Sequence, residues 1–556
     1  MCTVIEAANL TQIAVLADRM RSFRRCLGDL GVMMTSTIGF ATHGEVLKQL
    51  YLAFGVLPRK EARAEDFDEK DKKTLQRQLG RLASEEGNLI EYYQKAVDTL
   101  RQLLGQYVPM PGYVEAIGTV LDDLESAYAE LIQTEGTYLS RRDSFRYYMS
   151  IKAVPVLVLA LKRCRLLCGL GDGPGVWHDD TFWYLPTFEA GNKVTMPLAK
   201  VMRWAYTASG LSQKQFHCPG KLGDVVSPAQ QQNLDNAVNW ARGKATPSLP
   251  ALLANFKESF AAQDAHERPV DPTLQQSVLT ALVCARVATF VAKQILDTYD
   301  AAYLKDVCAQ IQQLTELLED EVQEFLRQLA PIMLRQTSAA QAVGIWLRAC
   351  AHHERFVRGK LTQVAATLVG LLQEEPQAPF SPELLAELTN KFGGFAVHAN
   401  VDRITRQQAF VPPEGFAELL AEGFQLRRKA TTRLDEIDAF EQSLVQMGLQ
   451  EVLCWFVPWL RGIYHYRREQ FEAAYPYYET AFDLAKYKAG RFQYDLVNQF
   501  VELAAKNRKE NAFDKGINWA LYIGLEIRWL RDKEPTQENR DFVRAIMERA
   551  NYAHQL

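Results

Sequence analysis

Between Val307 and Leu329 the large apolar residues Val307, Ile311, Leu314, Leu318, Val322, Phe325 and Leu329 follow one another at steps of three and four. That spacing lays a single stripe along one face of a helix and is incompatible with the two-residue alternation of a strand. The same period returns along most of the chain. It carries Ile13, Leu16, Met20, Phe23 and Leu27, and it predicts helices over 75–107, 111–139, 144–168, 274–329 and 339–373. Only Val154 to Leu159 reads as a buried strand, and its flanks are helical. The expected fold class is all-α, with the 307–329 stripe packed inside a helical bundle.

A chain of 556 residues exceeds one ordinary core, so several domains are expected. Breaks in the periodicity suggest an N-terminal helical bundle (1–168), a glycine- and aromatic-rich loop with a basic module (169–262), a central long-helix region (274–373) and a C-terminal helical segment (383–556). The marks are the glycines of 169–191, Pro269 and Pro272, the three prolines of 374–382, and Pro412-Pro413-Glu414-Gly415. The Gly169–Lys193 loop lacks the Gly-Lys-Ser/Thr that would make it a phosphate cradle and reads as an aromatic-anchored connector. Residues 58–73 are dense in both charge signs and read as an exposed connector.

The longest uncharged apolar run, Ala153 to Leu161, has nine residues and contains Pro155. A spanning helix needs about 20, so no membrane segment is expected. The first residues lack the basic-then-apolar order of a secretory signal. Nine dispersed cysteines fit reduced thiols and a cytoplasmic location.

Charge is uneven. Lys193 to Lys257 holds eight Lys and Arg against Asp224 and Asp235, a local +6 in a chain of net −4. A basic island in an acidic chain is the electrostatic footprint of a phosphate-facing surface. The stretch is also sharply punctuated. Ser212 is placed to cap one helix; Ser227, with Pro228 and Gln230 behind it, caps another; Gly243 stops it, and Thr246-Pro247 starts the next.

Leu211-Ser212-Gln213-Lys214-Gln215-Phe216, followed by Trp240-Ala241-Arg242-Gly243-Lys244-Ala245-Thr246-Pro247-Ser248-Leu249, resembles the Cro/C1-type helix-turn-helix family. The resemblance implies a recognition helix over 230–240, with Gln231, Gln232, Asn233, Asn236 and Asn239 as candidate base readers, since Gln and Asn amides bond bidentately to adenine. Lys200, Arg203, Lys214, Arg242 and Lys244 would position phosphates. Ser212 and Trp240 stand 28 positions apart, more than the family's spacing allows, and Ala241 replaces its usual acid.

Near the C-terminus, Gly462, Phe471, Ala474, Tyr478 and Ala481 resemble, in order, the small and aromatic positions of a tetratricopeptide repeat. Phe513 and Gly516 begin a looser copy. The resemblance implies helical hairpins that hold a protein or peptide, or a second copy of the chain. The many aromatics here, Trp455, Trp459, Tyr464, Tyr466, Tyr475, Tyr477 and Tyr478, read first as core filling.

No enzyme motif is compelling. Arg348-x4-His353 and Arg549-x4-His554 have the spacing of the nuclease motif of the HEPN family, in which Arg steadies phosphate charge and His acts as acid or base. Neither Arg is followed by the polar residue that family prefers. Cys164, Cys168, His217 and Cys218 make a weak zinc set without supporting spacing. The expectation is therefore a protein that binds nucleic acid, in the first instance DNA, and protein partners, with no cofactor and no metal. Such an architecture suits a bacterial regulator or phage-defence component. The alternatives are a HEPN-like ribonuclease toxin using Arg348 and His353, and a helical scaffold that assembles with itself or partners.

Overall fold

The structure, a computed structural model, describes residues 38–56, 69–168, 182–189, 194–220, 226–336, 338–374, 380–405, 411–531, 533–549 and 551. The 13–27 stripe, most of the 58–73 connector and most of the glycine-rich loop lie outside them. Among the described residues the fold is all-α; its one sheet is the antiparallel pair β1 (Thr187–Phe188) and β2 (Val194–Thr195).

The N-terminal part comprises α1 (His43–Phe54), α2 (Glu69–Ala83), α3 (Leu89–Tyr107) and α4 (Pro111–Thr134), then α5 (Arg141–Tyr148) and α6 (Val154–Cys168). The helix expected over 75–107 is broken. Glu85 and Gly87 take positive φ, and Asn88 caps α3 through the Glu91 amide. The strand-like run 154–159 is helical. A π-helical turn, Met149–Ala153, joins α5 to α6 immediately before Pro155, whose ring and missing N–H a regular helix does not accommodate.

The centre is built from α7 (Pro197–Ala208), α8 (Gln213–His217), α9 (Pro228–Ala241) and α10 (Leu249–Ala265). They are followed by α11 (Pro272–Thr298), α12 (Ala301–Leu334), α13 (Ala339–Glu374), α14 (Pro382–Phe392) and α15 (Gly394–Thr405). Asp300 caps α12 and divides the run expected over 274–329. The 307–329 stripe is buried except at Phe325, which stacks on His353 of α13 at 4.2 Å between ring centroids. The packing is that of a bundle: α12 lies against α6, α13 and α15. Ion pairs reinforce it on one side, with Arg163 between Asp123 and Glu354 and Lys162 on Glu319. Residues 141–164 and 272–298 are apolar and long enough to cross a membrane by composition alone, and most of each lies buried against other helices.

Three antiparallel hairpins follow: α16 (Phe416–Arg428) with α17 (Leu434–Gln446), α18 (Phe456–Tyr466) with α19 (Phe471–Ala485), and α20 (Phe492–Lys506) with α21 (Glu510–Tyr522). A last helix, α22 (Gln537–Arg549), packs on α20. A Cβ at Gly462 would stand 2.7 Å from the Tyr478 ring, and one at Gly516 2.5 Å from Val501. Glycine at these positions lets each hairpin close. Trp455, Trp459, Tyr466 and Tyr478 are buried core residues.

Two apolar cores result. One serves α16 to α20. The larger draws residues from α1 through α15 and from α19 to α22. Residues from early and late in the chain therefore share one interior. Phe40 N–H donates to Tyr487 O at 2.9 Å and Thr137 N–H to Lys488 O at 2.9 Å. The Gln493 amide reaches Ile132 O at 2.6 Å. Glu85 accepts from Tyr487 Oη at 2.7 Å and from Trp519 Nε1 at 2.9 Å. Gly490, at φ +52°, leaves no room for a Cβ, which would lie 2.3 Å from Gly136 N.

Candidate nucleic-acid interface

Helices α7 to α10 form a module seated on α11. Its apolar interior is Leu198, Val201, Met202, Phe216, Ala237, Trp240, Leu252, Phe256 and Phe260. The caps are those the sequence prescribes for α8 and α9: Ser212 with Gln215 and Ser227 with Gln230 each make a reciprocal capping box, with Pro228 opening α9. Gly243, at φ +71°, ends α9. The next helix begins two residues later than Thr246-Pro247 suggests. Ser248 is the cap and Pro250 sits in the first turn.

The five-residue α8 is too short to stand by itself, and buried polar side chains hold it. Gln263 donates its amide to the carbonyls of Gln215 and Phe216 at 2.6 and 3.0 Å. His217 lies between Tyr206 Oη, 2.9 Å from Nε2, and Ser259 Oγ, 2.8 Å from Nδ1. Ser259 gives its own proton to Asn255 O at 2.9 Å. The imidazole therefore donates from Nδ1 and accepts at Nε2. Burial pushes the His217 pKa down to about 4, so the neutral ring is the one that fits.

The expected phosphate-binding residues divide. Arg203, Lys214, Arg242 and Lys244 are exposed and form no ion pair among the described residues. Lys200 does not join them. It is half-buried, and its ammonium donates to Phe182 O and Leu185 O, both at 3.2 Å. It fastens the described end of the aromatic loop, where Trp183 and Leu185 are buried. Lys193 and Lys221 lie outside the described residues.

The expected base readers divide too. Gln231 and Gln232 are exposed on α9, their amides bonded one turn on to Asp235 at 2.9 Å and Asn236 at 3.2 Å. Asn233 faces α10, where its side-chain amide donates to Glu258 Oε2 at 2.8 Å and its main-chain carbonyl accepts from the Asn255 amide at 2.9 Å. Asn236 and Asn239 are half-buried. The exposed face thus carries Gln231, Gln232 and an acid, Asp235. Sequence reading overlooked Lys293, which donates to Gly243 O at 2.9 Å and Thr246 Oγ1 at 3.0 Å. This ties the turn carrying Arg242 and Lys244 to α11.

No known protein family, characterised protein or solved structure matched the chain in comparison. The module's chemistry must therefore be judged on its own geometry, as must the alternatives. Arg348 and His353 share the continuous helix α13, and five residues turn them roughly 140° apart around its axis. Arg348 is exposed and curls back on Gly344 O at 3.1 Å. His353 is packed against Phe325, its Nε2 3.9 Å from Glu321, and burial lowers its pKa. The pair does not converge on one site. His554, of the second spacing match, lies outside the described residues.

Of the zinc set, the Cys168 side chain lies outside what the structure describes. His217 has both nitrogens engaged, and Cys164 is buried with its Sγ toward Ala116 O. Among the described residues no three His, Cys, Asp or Glu side chains gather to hold a metal ion.

Proposed function

We propose that the chain binds nucleic acid through the exposed side of α7 to α10. The observation that supports this is the condition of Arg203, Lys214, Arg242 and Lys244. Elsewhere many surface cations lie beside carboxylates, as Arg101 does with Asp122 and Arg461 with Asp438 and Glu441. Among the described residues these four have no such partner, and the turn bearing two of them is held to α11 by Lys293. Gln231 and Gln232 stand on the same module as amides that exchange their bonds to Asp235 and Asn236 for base edges. DNA is the first target to try.

The C-terminal hairpins are the surface proposed for a protein or peptide partner, or a second copy of the chain. Most of their aromatics are committed to the core. Tyr464, His465 and Tyr477 remain partly exposed, with His465 stacked on Tyr477 at 5.5 Å and Arg468 3.6 Å over the Tyr464 ring.

Binding of the full chain to duplex DNA, single-stranded DNA and RNA at two salt concentrations tests the first reading. Affinity is expected to fall steeply with salt, and Arg242→Glu with Lys244→Glu to abolish it. Neutralising both with Gln should lower the log–log salt slope by about 2. Unchanged affinity after charge reversal removes the module as the binding surface. No binding even at low salt leaves the basic side as a protein-binding face and favours the scaffold reading.

A further inference from the structure

Beyond Leu329 of α12 and before Cys350 of α13, no described side chain is buried. The two helices run on past the core as a hairpin tip. Their neighbour α6 stops short of it. Arg146 lies over the Tyr303 ring and Lys162 pairs with Glu319, in both cases 157 positions apart, so α5 and α6 run alongside α12 and end level with Phe325. Leu334 stands nine residues further on, about 14 Å along the axis.

The tip is apolar where water meets it. Ile332 and Leu334 end α12, and Val343 and Leu347, one turn apart, open α13; all four are exposed, Leu334 by 87%. No other stretch of this length among the described residues exposes as many large apolar side chains. Met333, Ile345 and Trp346 beside them are half-buried. Clustered apolar exposure of this kind marks a contact with protein or membrane.

Charge and shape separate the two. From Phe325 to His353 the sequence has no Asp or Glu, and its Lys and Arg are Arg327, Arg335 and Arg348. Arg327 is paired with Glu324. Arg335 and Arg348 are exposed and form no ion pair among the described residues. A second copy meeting tip to tip would set these arginines against their own kind. A protein groove would have to receive a convex end whose anchors are aliphatic, where contact energy is usually carried by Trp, Tyr and Arg. An anionic lipid surface takes both features, since aliphatic side chains enter the acyl boundary while arginine stems reach back to the phosphates.

We propose that the α12–α13 tip docks on an anionic lipid surface, with Ile332, Leu334, Val343 and Leu347 entering the interface and Arg335 and Arg348 meeting lipid phosphates. The unburied start of α13 is about 16 Å long, half the roughly 30 Å of a hydrocarbon core. The tip therefore rests in one leaflet and does not cross.

The test is sedimentation of the full chain with vesicles of phosphatidylcholine, with and without phosphatidylglycerol. Binding is expected to the mixed vesicles and to be weaker to phosphatidylcholine alone. Leu334→Ser with Leu347→Ser should lower partitioning about tenfold or more, and Arg335→Gln with Arg348→Gln should remove most of the preference for the anionic lipid. Both pairs are exposed, so Tm should stay where it is. No binding to the mixed vesicles overturns the proposal, as does binding that the leucine pair leaves unchanged, which would move the contact to the basic module. A chain that self-associates, binds no vesicles and becomes monomeric with the leucine pair assigns the tip to a second copy instead. A lowered Tm in that pair without vesicle binding assigns it to another segment of this chain. Unchanged lipid preference after the arginine pair overturns the role given to those two residues.

Discussion

His217 joins three helices through two hydrogen bonds, and it does so only as a neutral ring. His43 is likewise enclosed, by Tyr93, Tyr128 and Tyr522, and burial pushes its pKa down to about 4 as well. Both lie below the ordinary histidine value of 6.5. Between those two pH values the unfolded chain binds protons that the folded chain refuses. The contribution of these two rings to stability therefore falls as pH drops from about 6.5 to about 4. Each histidine contributes a slope of at most about 1.4 kcal/mol per pH unit. Denaturant midpoints measured across this range should show the loss, and His217→Asn should remove its share of the slope while lowering stability at pH 7. The same pH slope in His217→Asn as in the unmutated chain would mean that the His217 ring is solvated. Nothing at position 217 of the sequence distinguishes a network histidine from a metal ligand; its partners, Tyr206 and Ser259, lie 11 and 42 positions away.

At the scale of elements, α9 offers the clearest experiment. Asp235 takes the Gln231 amide and places a negative charge among the side chains proposed to meet nucleic acid. Asp235→Asn removes that charge and keeps a side-chain carbonyl to accept the Gln231 amide. Affinity for duplex DNA should rise several-fold, most at low salt; a fall would mean that the carboxylate itself makes a contact. How legible such elements were depended on whether the deciding information was local. Ser212, Ser227 and Gly243 act within one turn of themselves, and their roles follow from the residues beside them. The break at Glu85 to Asn88 was equally local but was hidden inside a continuous apolar stripe. Lys200 could not be read at all, because the carbonyls it serves belong to another segment. Of the candidate interface, the exposed cations and Gln231 and Gln232 were legible. The inward commitments of Asn233 and Lys200 were not. The α16–α17 hairpin escaped notice although Gly423 of α16 meets the Phe440 ring of α17 much as Gly462 meets Tyr478; the residues around the pair do not otherwise follow the repeat.

Across the whole molecule, the sequence suggests segments in series. What it does not reveal is that residues 132–140 meet residues 487–493 and that a single core runs through both regions. Those pairings depend on main-chain groups and on Glu85 and Gln493, neither of which advertises a distant partner. A protease site placed after Glu414, in the turn before α16, should therefore give two fragments that elute together from gel filtration under native conditions. Separation of the fragments would show that the junction adds little.

The same junction bears on how partners should be sought. A bait made only of residues 383–556 would bare the face that Glu85, Ile132 and Gly136 now cover, and the first prey such a screen returns should be this protein's own N-terminal half.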